Sequence, residues 1–192
     1  MGAYSPAPIM SDAMSARVMR EIIEPTLVGM KARGAPYRGV LFAGLMITKD
    51  GPKLIEFNAR FGDPETQVML PRLNEDLLPL LMQCAKGNLR SEPVKLQAKT
   101  AMTVVYAATG YPENPQKGSV IRNVEQAEAM DNVIVFHAGT KRDGDKLLAN
   151  GGRVLNITGL GSSVREARDR AYAGLDVINW PEGFYRRDIG WR

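Results

Sequence analysis

With 192 residues, 44% of them hydrophobic and 24% charged, the chain can build one large domain or two small ones, which excludes disorder. The 25 Lys and Arg against 21 Asp and Glu leave a formal charge of +4, mild and interleaved with acids as in Arg165-Glu-Ala-Arg-Asp-Arg170, so nucleic acid is not indicated whereas a phosphorylated metabolite is compatible. Cys84, the sole cysteine, excludes an internal disulfide; with no apolar run of about 20 residues and no basic-then-apolar leader, the reading is a soluble, cytoplasmic protein with no membrane partner.

Gly2-Ala-Tyr-Ser-Pro-Ala-Pro8 is expected to be irregular, because two prolines deny both helix and central strand. The opening Met-Gly matches a myristoylation start, but Pro6 stands where that motif needs Ser or Thr. Ser11 or Asp12 then caps a helix with Met14, Val18, Met19, Ile22 and Ile23 at helical spacing, which Pro25 should kink or divide. Residues 39–48 are apolar almost throughout and read as a strand buried on both faces. Lys49-Asp-Gly-Pro52 is a turn signal, so the following strand should pair with it as a hairpin.

That second strand carries the most chemistry. Strand side chains alternate, so Glu56, Asn58 and Arg60 point one way and Ile55, Phe57 and Ala59 the other. A carboxylate and an amide oxygen two residues apart can reach one hard cation, and a guanidinium beyond them can fork onto an anionic oxygen. Asp63 and Glu65 follow in a Gly-Pro turn. On Glu56 and Asn58 alone, a solvated edge strand is the competing account.

Beyond Pro64, residues 66–70 and 76–86 look helical, with Cys84 a small core residue among Leu80, Leu81, Met82 and Ala85. Polar residues 88–98, with Pro93, form a seam between units at about 1–92 and 93–192. Strands are suggested at 101–107, 133–137 and 153–158, and a last helix sets Val164, Ala167, Ala171, Leu175 and Ile178 on one stripe. A sheet with segregated helices makes the class α+β.

Three motifs have double readings. Thr158-Gly-Leu-Gly-Ser-Ser-Val164 mimics a dinucleotide loop but lacks the third glycine, whereas Ser163-x-x-Glu166 accounts for it as a helix capping box. His137, the single histidine, is either a hydrogen-bonded structural side chain or a catalyst. Gly151-Gly-Arg153 is either an anion site of guanidinium and backbone amides or a turn with an exposed arginine.

Taken together, Met1-Gly-Ala-Tyr-Ser-Pro-Ala-Pro8, Leu41-Phe-Ala-Gly-Leu45, Glu56-Phe-Asn-Ala-Arg-Phe-Gly-Asp-Pro-Glu65, His137-Ala-Gly-Thr140, Gly151-Gly-Arg-Val-Leu155 and Tyr185-Arg-Arg-Asp-Ile-Gly190 resemble the C-terminal portion of the phosphoribosylamine–glycine ligase family of ATP-grasp enzymes. The resemblance implies the C-terminal part of an ATP-grasp domain followed by a small α+β domain. It implies ATP-dependent joining of glycine to 5-phosphoribosylamine through glycyl phosphate, in purine biosynthesis. By the same resemblance Glu56 and Asn58 hold Mg²⁺ or Mn²⁺, and Arg60, Asp63 and Glu65 act in catalysis. Tyr4, Ser5, Pro6, Gly62 and Pro64 would contact substrate, with Lys141 and Arg153 on the sugar phosphate. The family's N-terminal substrate domain and its adenine-gripping segments precede Gly-Ala-Tyr-Ser-Pro. The chain is therefore expected to be a fragment, inactive without the missing N-terminal half, with apolar surface bare on the first helix and on strand 39–48. The rival readings are a non-catalytic assembly or phosphate-binding module, and another ATP-grasp carboxylate–amine ligase.

Overall fold

The protein is described by a computed structural model over residues 1–191, which fall into two compact units. One comprises residues 1–5, 63–72 and 97–191, the other residues 6–62 and 73–96.

The first unit is built on an antiparallel five-stranded sheet. Strands β1 (Gly2–Ser5), β4 (Thr100–Ala108), β9 (Arg153–Gly161) and β6 (Val133–His137) lie in that order, and β10 (Gly183–Phe184) extends β1's side of β4. Residues 2–5 thus form an edge strand rather than irregular chain: Pro6 and Pro8 lie beyond the pairing, so their missing N–H groups cost the ladder nothing. A smaller sheet, β5 (Val120–Ile121), β8 (Lys146–Ala149) and β7 (Thr140–Asp143), and the short helix α5 (Val124–Glu128) occupy the stretch between the long strands.

The two faces of the large sheet differ in chemistry. Met102, Val104, Tyr106, Leu155 and Ile157 pack against helix α6 (Val164–Val177) through Ala167, Ala171 and Leu175, and Trp180 closes this core with its ring 4.8 Å from that of Tyr106. The other face carries Thr103, Asn156 and Thr158, all with no exposed surface. It lies under α3 (Thr66–Met69) and the 3-10 turn Leu70–Arg72, and the Thr158 hydroxyl donates to the Gln67 carbonyl at 3.2 Å.

Ser163 caps α6 by accepting from Glu166 N, as the capping box requires. The Glu166 carboxylate reaches back one residue further than the box predicts, taking Ser162 N at 2.6 Å and Ser162 Oγ at 2.7 Å, which holds its pKa below the usual range. The dinucleotide-like glycines have a packing cause: a Cβ at Gly159 would stand 2.1 Å from Ala167 O, and one at Gly161 2.8 Å from Ala167 N.

In the second unit, Ser11 caps α1 (Asp12–Val18), which runs through a five-residue π-helical segment, Met19–Ile23, into α2 (Glu24–Ala32). The irregularity expected at Pro25 thus falls just before it: the wider π-helical turn Met19–Ile23 interrupts the regular ladder where Pro25 can supply no N–H. Strands β2 (Phe42–Thr48) and β3 (Gly51–Asn58) form the expected hairpin around Lys49-Asp50, with Gly51 at φ +117°. The strand expected to be buried on both faces is instead partly exposed along its length, with Met46 56% exposed. A two-stranded sheet has too few neighbours to bury it. Met19, Leu27 and Val28 on the helices, and Leu54 and Ile55 on β3, are also exposed. Helix α4 (Leu77–Lys86) is capped by Asp76 and ended by left-handed Gly87; Cys84 on it is only partly buried. Among the described residues no helix is long and apolar enough to cross a membrane.

Candidate active site

On β3, Glu56 and Asn58 meet. The Asn58 amide donates to Glu56 Oε1 at 3.0 Å, so the two side chains share a face as their spacing requires. A register shift between Gly44 and Leu45 leaves Ile55 as the extra residue of a bulge, and Gly44, opposite Glu56, keeps the space over it open: a Cβ there would lie 3.2 Å from Glu56 Cγ. Glu56 Oε2 and Asn58 Oδ1 remain available to a cation. Among the described residues no cluster of three His, Cys, Asp or Glu could hold a metal unaided. Two oxygen donors fit an ion that completes its octahedron with water and phosphate oxygens, as Mg²⁺ does, and do not fit a closed structural site. Arg60, two residues on, is exposed and donates to the Phe61 carbonyl at 2.7 Å.

In the other unit, Arg153 clasps Asp63. One guanidinium nitrogen sits 2.8 Å from the carboxylate and another donates to the Asp63 carbonyl at 2.9 Å, with both side chains about one-third exposed. A strand irregularity delivers Arg153 there. The register of β4 and β9 shifts between Tyr106 and Ala107, so Ala107 faces Arg153 and Val105 faces Asn156, with two residues between them on β9. That extra residue turns Arg153 onto the face shared by Asn156 and Thr158, as bulges beside functional sites do. Gln67, one helical turn after Asp63, donates its amide to Asp63 Oδ1 at 3.0 Å. Glu65 stands at the N-terminus of α3, where Val68 N and Met69 N donate to its carbonyl, and Pro64 beside it is buried. Gly62, the last residue of segment 6–62 in the second unit, is buried too.

The remaining expected residues divide. Lys141 is exposed on β7, paired across to Leu148; it is Gly139, two residues earlier, that touches Arg153, its N–H donating to Arg153 O at 3.0 Å. Gly139 and Gly151 must both be glycine because a Cβ on either would come within 3 Å of the other's Cα. His137 Nδ1 lies 3.1 Å from the Thr140 hydroxyl and Nε2 3.6 Å from the Glu128 carboxylate, which makes it a hydrogen-bonded side chain on the surface. Tyr4 and Ser5 are partly buried on β1, and Pro6 is exposed.

Sequence reasoning passed over two residues that hold this region. Gln67 was visible as an i, i+4 partner of Asp63 once a helix starts at 66. Arg72 had no local signal. It is 8% exposed, has no carboxylate partner among the described residues, and donates to Ser5 Oγ at 2.6 Å, to Lys99 O at 2.7 Å and to Gln97 O at 3.3 Å. Burial lowers its pKa, yet a guanidinium stays charged in proteins, so three neutral acceptors carry its solvation.

Comparison with known proteins accounts for both halves of the chain. The family model "Phosphoribosylglycinamide synthetase, ATP-grasp (A) domain" matches residues 1–66, and "Phosphoribosylglycinamide synthetase, C domain" matches residues 101–192. The chain belongs to the phosphoribosylglycinamide synthetase family. Its fold is that of the C-terminal part of an ATP-grasp domain followed by a small α+β domain. It is 60% identical over all 192 residues to a phosphoribosylamine–glycine ligase of Mesorhizobium japonicum and 57% identical to that of Brucella melitensis, covering 45% of each. The crystal structure of phosphoribosylamine–glycine ligase from Thermotoga maritima superposes with a TM-score of 0.84 at 35% identity, over 98% of this chain and 46% of that one. The chain thus spans about half the length of these synthetase relatives.

Proposed function

We propose that this chain works as the C-terminal portion of a phosphoribosylamine–glycine ligase, joining glycine to 5-phosphoribosylamine with cleavage of ATP to ADP and phosphate, in purine biosynthesis in the cytoplasm. The observation that carries the reading is the meeting of Glu56 and Asn58 on one strand face inside a sequence 60% identical to such a ligase.

In this scheme a glycine carboxylate oxygen attacks the γ-phosphorus of ATP and ADP leaves; the amine of phosphoribosylamine then attacks the glycyl carbonyl and phosphate leaves. Glu56 and Asn58 hold Mg²⁺ or Mn²⁺, which supplies charge neutralisation on the phosphates. Arg60, exposed and beyond the pair, steadies the acyl phosphate with its guanidinium. Asp63 and Glu65, with Tyr4, Ser5, Pro6, Gly62 and Pro64, position the substrates. Arg153 and Lys141 bind the 5-phosphate. Because Asp63 already occupies the Arg153 guanidinium, phosphate must bind through its remaining N–H groups or displace the carboxylate. The division at about 1–92 and 93–192 is proposed as the boundary between ATP-grasp part and C-terminal domain, supported by family matches on either side of it.

The test is reconstitution. The chain is mixed with a separately produced N-terminal half and glycine-dependent ADP release is measured. Activity in the mixture that Glu56→Gln abolishes supports the ligase; no activity from two folded halves that do bind each other favours a non-catalytic module, and activity with a different amine favours another ATP-grasp ligase.

A further inference from the structure

Three contacts and a length of strand close a circuit over the polar face of the large sheet. Thr158 Oγ1 donates to Gln67 O, Gln67 Nε2 donates to Asp63 Oδ1, Asp63 pairs with Arg153, and Arg153 returns to the strand that carries Thr158. Asn156 sits on that strand between Arg153 and Thr158, on the same face. It has no exposed surface, and neither its Oδ1 nor its Nδ2 has a protein partner; Gln67 Oε1 is buried and unpartnered as well. An orphaned amide of this kind costs about 1–3 kcal/mol per unmet group, so three together demand a guest. The orphans number one donor group and two acceptors, the complement of a molecule that accepts once and donates twice.

We propose that Asn156 and Gln67 enclose one buried water molecule, and that through it Asn156 acts as a positioning residue for the Asp63–Arg153 pair. The water accepts from Asn156 Nδ2 and donates to Asn156 Oδ1 and Gln67 Oε1, the two to four polar partners a buried water takes. Its role is orientational. A carboxylate can only accept, so Gln67 must present Nε2 to Asp63; a donor on the far side of the amide fixes that orientation, and Asp63 in turn sets the angle of the guanidinium. The water is structural whatever the chain's activity; only its effect on substrate binding rests on reading Arg153 as the phosphate ligand.

The test starts with the full 192-residue chain in solution. Water-selective NMR should show a long-lived contact between solvent protons and the Asn156 side-chain amide. The Arg153 Nη–H resonances, the Nη1 and Nη2 groups that hold Asp63, are assigned by their loss in Arg153→Lys and report the positioning. Asn156→Leu should speed their solvent exchange about tenfold, the equivalent of one lost hydrogen bond; Thr103→Val, on the same buried face, should not. Gln67→Met should reproduce the effect and serves where Asn156→Leu fails to fold. No bound water on the wild-type amide, or a loss of stability in Asn156→Leu with Arg153 exchange no faster than in Thr103→Val, overturns the proposal. In the reconstituted ligase Asn156→Leu should raise KM for the sugar phosphate and leave KM for ATP unchanged. Faster Arg153 exchange with no change in either KM upholds the water and removes Arg153 from the phosphate site.

Discussion

Gly159→Ala tests the account of the sheet and helix most sharply. The added methyl would stand 2.1 Å from Ala167 O, 2.7 Å from Ala171 N and 3.0 Å from Arg170 Cβ. Two of these are backbone atoms of α6 and cannot rotate away, so the helix must lift by more than 1 Å. Such a lift loosens a contact in which Ala167 and Ala171 are fully buried and Leu175 is 1% exposed. A gap of that size forfeits a quarter to a half of the dispersion attraction across it. The cost belongs at or above the top of the overpacking range, about 3 kcal/mol. For a unit of roughly 100 residues that lowers Tm by about 12–24 °C. Thermal and urea unfolding of the full chain, followed by circular dichroism, measures it. A loss below about 0.5 kcal/mol would refute the close-packing explanation and return the Thr158-Gly-Leu-Gly161 loop to consideration as a ligand loop.

Other perturbations read other parts of the molecule. Arg72→Ala deserts three acceptors and frees β1 from the 3-10 turn; a loss of about 2–3 kcal/mol in urea unfolding is expected, with faster amide exchange at Ser5. Burial and the hydrogen bond to Asp176 push the Tyr185 pKa up to about 12 from 10. The folded state thus favours the neutral phenol, so its contribution is complete below pH 10 and is lost as pH rises towards 12; after discount for partial exposure this is about 1–2 kcal/mol. Tyr185→Phe should flatten the stability profile between pH 10 and 12, and a profile unchanged from wild type would contradict the assignment. Replacing Met46 and Ile55, 56% and 64% exposed, with Lys should reduce self-association in sedimentation runs without lowering Tm, because neither is in the core.

How much of this could be read from the sequence depended on the range of each interaction. Local devices were legible: the Ser11 and Ser163 caps, the hairpin at Lys49-Asp50, the helical stripe of α6 and the shared face of Glu56 and Asn58 follow from periods of two and 3.6 and from turn chemistry. Long-range partners were not. Nothing near residues 2–5 announces that they pair with β4, because an edge strand needs only four residues and a template a hundred positions away. The expectation that strand 39–48 is buried on both faces read its apolar content correctly and could not know how few neighbours it has in this chain. Asp63 and Arg153 were each singled out, yet their pairing depends on a one-residue bulge in β9, which leaves no signature in side-chain type.

The chain passes between its two units at residues 5/6, 62/63, 72/73 and 96/97, and this sets an order in time. Gly2 pairs with Val104, 102 positions away, so at about 5–20 residues per second strand β1 leaves the ribosome roughly 5–20 s before its partner exists. During that interval residues 6–62 can complete their helices and hairpin as a local event. The large sheet must wait for β9, some fifty residues after β4, before its centre is present. Segment 63–72 then joins the later-forming unit, to which it belongs. A ribosome pause or a cut within residues 73–99 would therefore trap a species with the Glu56–Asn58 hairpin formed and the Arg153 clasp absent.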